Sequence, residues 1–529
     1  MKRGLYFVLT FTALVFWSSC RKDFEFEPST GGLEFSKDTV YLDTVFSNIG
    51  SSTYNLKVYN RSSNDIVIPT VKFTEGQTSN YRMTIDGRTG TGENLGKHFE
   101  NVEILAKDSM YIFIETTVDF ANTGTNSNTF LYTDAIEFDE GSYQQKVELV
   151  TLIKDAVFIY PQQIINEETN ETIIETLTFD VDGDGIPDET SLQGRFLTNE
   201  ELTFTNEKPY VIYGYAAVDE NNTLTMEAGA RVHFHANSGL LVTNNATLNI
   251  EGDLSADLSL LENEVIIQGD RLEPLFEDVP GQWGTIWLYN GSGNHNINYA
   301  TIKNGTVGIL CEGNQNSTPH KLTITNSQIY NCSNFGILAR ATSILGENLV
   351  INNSGQSSLA LTYGGNYTFT HSTIVNYWNT GFRQYPSLII NNYIIDEEEN
   401  IFTNDLSTAN FNNCIIFGND NPEFLLDEED GSAFNFKFTN CLARFSDNSN
   451  NFSGDNYDFN NPALYDSVIF NQNPQFIDPY ENILIIGENS AAIDAANPDY
   501  SLLVPEDLLG VNRTNAPDIG AYQHVIVED

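Results

Sequence analysis

From residue 299 onward a six-residue pattern returns every 20 to 27 residues, at 299–304, 326–331, 347–352, 371–376, 391–396, 413–418 and 440–445. Its fourth position is always apolar: Ile302, Ile329, Val350, Ile374, Ile394, Ile416 and Ala443. The flanking positions are polar or β-branched, which is strand patterning. A repeat of this length with one such strand, followed by an Asn- and Gly-rich turn, predicts a solenoid in which each coil stacks its strand on the one below. Alternation at 224–234, 240–242 and 246–250 places the start of the solenoid near Tyr210. Earlier, strand-like runs at 39–42, 56–59, 66–68, 111–114 and 147–150, separated by turn clusters such as 61–65, predict a β-sandwich. The fold class is therefore all-β, a sandwich followed by a single-stranded parallel β-helix. The expected boundaries are a leader at 1–20, a tether at 21–32, the sandwich at 33–159, a polar junction at 160–209 and the β-helix at 210–525.

Charge narrows the partners. Seventy-two Asp and Glu stand against 25 Lys and Arg, for a net charge of -47. Such a field repels phosphate backbones, so no nucleic-acid partner is expected. The N-terminus opens with the basic pair Lys2-Arg3, continues with 13 mostly apolar residues at 5–17, and reaches Ser18-Ser19-Cys20. The apolar run is too short to span a bilayer and suits a secretory leader.

Three resemblances follow from these residues. The small-residue pair before Cys20 resembles a bacterial lipobox, with Trp17 where Leu is usual. It implies lipidation at Cys20 and an outer-membrane lipoprotein of the Bacteroidota type, periplasmic or surface-exposed, touching the membrane through the anchor alone. Residues 43–46, 50–52, 57–60, 85–87 and 107–111 resemble the immunoglobulin-like module found at the front of such lipoproteins, which implies a spacer or interaction role. Residues 224–234, 281–288 and 473–476, with Ser490-Ala491-Ala492-Ile493-Asp494 and Pro517-Asp518-Ile519-Gly520-Ala521-Tyr522, resemble the entry coils and closing segment of right-handed β-helix repeat proteins, a pectate-lyase-like superfamily. That resemblance implies right-handed coils. The family includes polysaccharide lyases and hydrolases alongside adhesins and proteins with no known reaction.

The chemistry visible in the chain is sparse. Asp180-Val181-Asp182-Gly183-Asp184-Gly185-Ile186-Pro187-Asp188 sets carboxylates at alternate positions around a tight glycine turn. Oxygen ligands so placed suit Ca²⁺, the one cofactor the sequence suggests, with Asp180, Asp182, Asp184 and Asp188 as ligands. The run resembles the calcium loops of thrombospondin type 3 repeats, except that Ser191 occupies position twelve; a solvated Asp-Gly turn is the other reading. A lyase would need a base, for which Arg340 and Arg383 are the candidates, with acidic partners at 396–399 or 427–430. Surface arginines and exposed acidic loops are the plainer reading of the same residues. Tyr377 and Trp378 follow a coil turn and are candidate sugar-stacking rings, or else coil packing. His233 and His235 share one face of a strand and lack a third ligand nearby. Asn304, Asn331, Asn352 and Asn376 are expected to form an amide ladder at a coil corner. Cys414 and Cys441 fall in one column, as a disulfide or a thiol stack. The function expected is an envelope-anchored, non-catalytic surface module binding polysaccharide or another glycan. The alternatives are a lyase or hydrolase acting on an acidic polysaccharide, and a purely structural assembly partner.

Overall fold

The computed structural model describes residues 25–90, 95–119, 129–165, 171–447 and 449–524. Cys20 and the leader lie outside the described residues. The chain divides into two compact units at Asp155 and Ala156.

The first unit is a two-sheet β-sandwich. One sheet holds six strands, with Ile66–Phe73, Thr129–Phe138, Gln145–Lys154 and Thr39–Phe46 adjacent in that order; the other holds four, with Tyr54–Tyr59 and Ser109–Thr116 at its centre and Tyr81–Ile85 at one edge. All five predicted strand runs fall on strands of these two sheets, 66–68 on Ile66–Phe73. Alternate side chains from both sheets, among them Val40, Leu56, Ile68, Ile112 and Phe138, form one buried core, as period-2 patterning requires.

The second unit is a parallel β-helix with three strands per coil. Sheet one runs from Thr203–Phe204 to Tyr465–Asp466 and sheet two from Val157–Ile159 to Ile469–Phe470. Sheet three runs from residues 194–196 to Phe424–Asp427. Stacking thus begins at Val157, which pairs in parallel with Tyr210. The polar junction expected at 160–209 is the insertion-bearing first coil and not a linker. Its strands were hidden in the sequence because hairpins separate them, including one from Thr176–Phe179 to Asp188–Phe196 that carries the acidic loop at its turn.

Sheet two contains the repeated hexamer, with two corrections. The inward column runs Ile302, Ile329, Ile351, Ile374, Ile416 and Ala443 in register. Ile351, not Val350, takes the core position in its coil. A one-residue slip reverses a strand's faces, so Val350 points outward. The unit at 391–396 is not a strand of sheet two. Ile374 pairs directly with Ile416, and Tyr393–Ile395 pairs antiparallel with Ile401–Thr403 as an inserted hairpin. Ile394 is accordingly 42% exposed.

The coil corners explain the asparagines. Asn304, Asn326, Asn331, Asn348 and Asn353 have φ between 49° and 67°, a region Asn tolerates better than most residues. The expected ladder of Asn304, Asn331, Asn352 and Asn376 does not form. Instead Asn348 Nδ2 donates to Asn326 Oδ1 at 2.8 Å and Asn326 Nδ2 to Asn298 Oδ1 at 2.9 Å. At the next corner Asn353 donates to Asn331. Asn352 fails for the same reason as Val350: it is one residue out of register.

The closing segment lies back along the outside of sheet two. Leu484, Ile486, Ala492, Leu508, Ile519 and Ala521 cover the outward residues Val350, Val375, Ile415, Phe417 and Leu442. Gly520 has φ +102°, and a Cβ there would sit 2.7 Å from Ile415 Cδ1, so the close approach requires glycine. Polar side chains fix the segment to the corner column. Arg513, fully buried, donates to Asn348 Oδ1 and to the Gly520 and Ala521 carbonyls. His371 bonds Gly520 O and Ser501 Oγ. Asn413 Nδ2 donates to Asn497 O.

Candidate functional site

The outer surface of sheet three supplies a candidate site. On a strand, alternate residues leave the core, so Leu338 and Arg340 face outward beside the buried Ile337 and Ala339, with the half-buried Phe335 at the start of the strand. These side chains, the corner residues Tyr289, Asn290, Glu312 and Tyr363, and the hairpin residues Tyr393, Ile394 and Ile395 line a groove of about 830 Å³. Two corner residues have left-handed backbone without being Asn or Gly: Ala341 at φ 46° and Tyr363 at φ 57°. Such strain persists only where neighbours impose it. Around Tyr363 they do: Asn391 Oδ1 accepts its N–H at 2.9 Å, and Asn404 Nδ2 donates to its carbonyl.

The polar edge of the groove is already paired. Arg340 Nη1 reaches Glu312 Oε1 at 3.3 Å, and Trp287 Nε1 donates to Glu312 Oε2 at 2.7 Å. The Arg340 side chain is about half exposed, so the ion pair adds little stability. Beneath the rim, buried Lys321 donates Nζ hydrogen bonds to the carbonyls of Tyr289, Asn290 and Glu312. Burial pushes its pKa down to about 8. Its three-carbonyl clamp fixes two turns of the groove wall. On the hairpin side, the Tyr393 hydroxyl donates to Asp427 Oδ2 at 2.7 Å, and that carboxylate pushes the phenol up to about 12.

The acidic loop adjoins one end of this groove through Tyr289, whose hydroxyl donates to Val181 O, while Asn244 Nδ2 donates to Asp180 O. Asp180, Asp182 and Asp188 bring one oxygen each within 4.8 Å of the others. Asp184, expected as a fourth ligand, is outside that group; its Oδ1 accepts the Ile186 N–H. Ser191 lies three residues along the strand that Asp188 opens, Asp188–Phe196.

The other expected residues separate. Arg383 is not available as a base: it is buried, with both Nη atoms bonded to Glu423 at 2.8 and 2.7 Å. Tyr377 lines a second pocket, but Trp378 does not; adjacent residues of extended chain point to opposite sides, and the Trp378 ring lies against Gly355. His233 Nδ1 contacts Gly269 O, whereas His235 Nδ1 contacts Asp270 and its ring stacks on Tyr213, so the two do not converge on one point. Cys414 and Cys441 are free and buried. The run 396–399 forms the exposed turn of the hairpin.

Sequence reasoning missed Glu312, Lys321, Asn391 and Tyr393. The available signal was the polar turn between Tyr393-Ile394-Ile395 and Ile401-Phe402-Thr403, a hairpin pattern misread as a coil repeat.

Comparison with known proteins adds the handedness. The family described as right handed beta helix region matches residues 307–462, so that stretch is a right-handed β-helix region. No curated protein matches the chain. Among solved structures, the chain is similar to a family 123 glycoside hydrolase from Clostridium perfringens, with 11% identity over 24% of this chain and 28% of that one and a TM-score of 0.17. It is similar to the catalytic unit of a GH87 alpha-1,3-glucanase from Streptomyces thermodiastaticus, with 10% identity over 75% and 64% and a TM-score of 0.19. It is also similar to Dex49A from Penicillium minioluteum, with 8% identity over 80% and 82% and a TM-score of 0.21. The chain spans 28% of the length of the first of these. At TM-scores this low the likenesses transfer no activity.

Proposed function

We propose that the protein is an envelope lipoprotein, anchored at Cys20 in the outer membrane, whose β-helix binds a polysaccharide without cleaving it in the groove of sheet three. The sandwich serves as an immunoglobulin-like spacer. The observation that carries the reading is the lining of the groove. It offers aromatic and apolar surface at Tyr363, Tyr393 and Leu338 with amides at Asn290 and Asn391, the mixture that holds sugar rings by stacking and hydrogen bonding. Hydrolysis of a glycosidic bond calls for two carboxyl groups facing each other across it. Among the described residues of the lining, Glu312 is the one carboxylate, and it is engaged by Arg340 and Trp287. A Ca²⁺ ion held by Asp180, Asp182 and Asp188 would stiffen the turn that Tyr289 ties to the groove.

Titration with a panel of neutral and acidic polysaccharides is expected to show binding by at least one polymer, weakened about tenfold or more by Tyr393→Ala. In the same series Ca²⁺ alone is expected to release heat with the wild type and none with Asp180→Asn/Asp182→Asn. New reducing ends, or ultraviolet absorbance from unsaturated sugars, would overturn the non-catalytic reading; silence across the whole panel would overturn glycan binding. For the anchor, Cys20→Ala is expected to move the protein from the membrane fraction to the soluble fraction. Its retention in membranes would exclude lipidation at that residue.

A further inference from the structure

The pocket lined by Tyr377 differs from its surroundings in charge. It encloses about 400 Å³ between the end of sheet two and the start of the closing segment, with Arg444, Asn419, Asn473 and Tyr480 in its lining. Acidic residues outnumber basic ones 72 to 25 in the chain, yet among the described residues no carboxylate lines this pocket. Arg444 Nη1 donates to Gly418 O at 2.6 Å, and its guanidinium lies 5.4 Å from the Phe417 ring centroid. Unlike Arg340 and Arg383, it has no carboxylate within ion-pairing distance among the described residues. Glu423, behind Gly418, is closed off by its bonds to Arg383. A guanidinium has five donors and no acceptor, and its planar fork matches an oxyanion. Tyr377 and Tyr480 meet edge to face at 5.6 Å and form a ring-sized wall beside it.

We infer that this pocket binds the oxyanion of a sugar-sized ligand, a carboxylate or a sulfate, with Arg444 as its counter-ion and Tyr377 and Tyr480 against the ring. The pocket and the groove share no lining residue, so failure of polymer binding in the groove leaves this inference standing.

Calorimetry on the full chain with glucuronate, glucose 6-sulfate and glucose tests it. One of the two anions is expected to bind at least tenfold more tightly than glucose, and which one does so identifies the oxyanion. Arg444→Gln is expected to erase that difference, Arg444→Lys to keep part of it, and Arg61→Gln, at an exposed pair in the sandwich, to leave it intact. Asn473→Asp, at an exposed position, places a like charge in the lining without disturbing the core and is expected to erase it as well. Equal affinity for all three sugars, or an anion preference that survives both Arg444→Gln and Asn473→Asp, overturns the inference.

Discussion

Glu423→Leu is expected to destabilise the β-helix by about 3–5 kcal/mol, the usual result of leaving one charge of a buried pair alone. Glu423 has no exposed surface, and Arg383 is 6% exposed. The carboxylate accepts two bonds from Arg383, two from Ser387 and one from the Asp420 N–H. Without it, two backbone donors lose this acceptor, the Arg383 guanidinium is left with Asn419 Oδ1, and the Ser387 hydroxyl is left with Phe417 O. Removing both charges, as Arg383→Met/Glu423→Leu, is expected to recover part of the loss, because the desolvation of two ions disappears together with their attraction. The measurement is the denaturant midpoint of tryptophan fluorescence. Trp17 lies in the proposed leader and Trp283, Trp287 and Trp378 in the β-helix; the sandwich has no tryptophan, so the signal reports on the β-helix. A single-variant loss below about 1 kcal/mol, the scale of an exposed pair, would refute the structural role assigned to this arginine.

Acidification is expected to loosen the β-helix between pH 6.5 and pH 4.5, before most carboxylates titrate. His295 is 2% exposed, and burial, with Lys321's charge second, pushes its pKa down to about 3. The hydrogen bonds agree. Leu248 N–H donates to Nδ1 at 3.0 Å, and the Ser292 hydroxyl, whose proton goes to Tyr289 O, takes the proton on Nε2. A second ring proton would point at a donor. His371 is held well below the usual histidine range, first by burial and then by the charge of Arg513. In both cases the unfolded chain binds a proton near pH 6.5 while the folded chain does not, so stability falls as pH falls, by about 1.4 kcal/mol per pH unit for each group. Carboxylates held low, such as Glu201 at about 2 beside Arg195, add their own loss only below about pH 4.5. His295→Gln, which keeps one acceptor and one donor, is expected to remove about one proton from the slope of stability against pH in the upper window. An unchanged slope in that variant would exclude His295 as a contributor.

The repeated hexamer disclosed the β-helix because its core column needs an apolar residue in every coil, and that demand survives changes in the surrounding turns. Register was less legible. Val350 and Ile351 are both apolar, so composition could not say which faced inward; the deciding partner was Leu484 and its neighbours in the closing segment, more than a hundred residues away. The insertion at 393–403 was misread because its isoleucines satisfy the same local pattern as a coil strand while sitting exposed on a hairpin. Of the site, the alternating aspartates and Arg340 were visible. The groove itself was not, since its residues come from five successive coil corners and meet only through stacking. Arg383 and Arg340 look alike in sequence. Only the distant Glu423 makes one of them structural.

The reversed course of the closing segment also orders events during biosynthesis. A chain emerging N-terminus first can wind coil upon coil as it appears, but Val350, Val375, Ile415 and Leu442 remain uncovered until residues 484–522 arrive. A nascent or prematurely stopped chain would therefore carry a complete helical stack with a bare apolar stripe, the kind of surface that holdase chaperones retain and quality-control proteases read. Release from that surveillance waits on residues 484–522, so a chain lacking them would keep the stripe bare however well its coils had stacked.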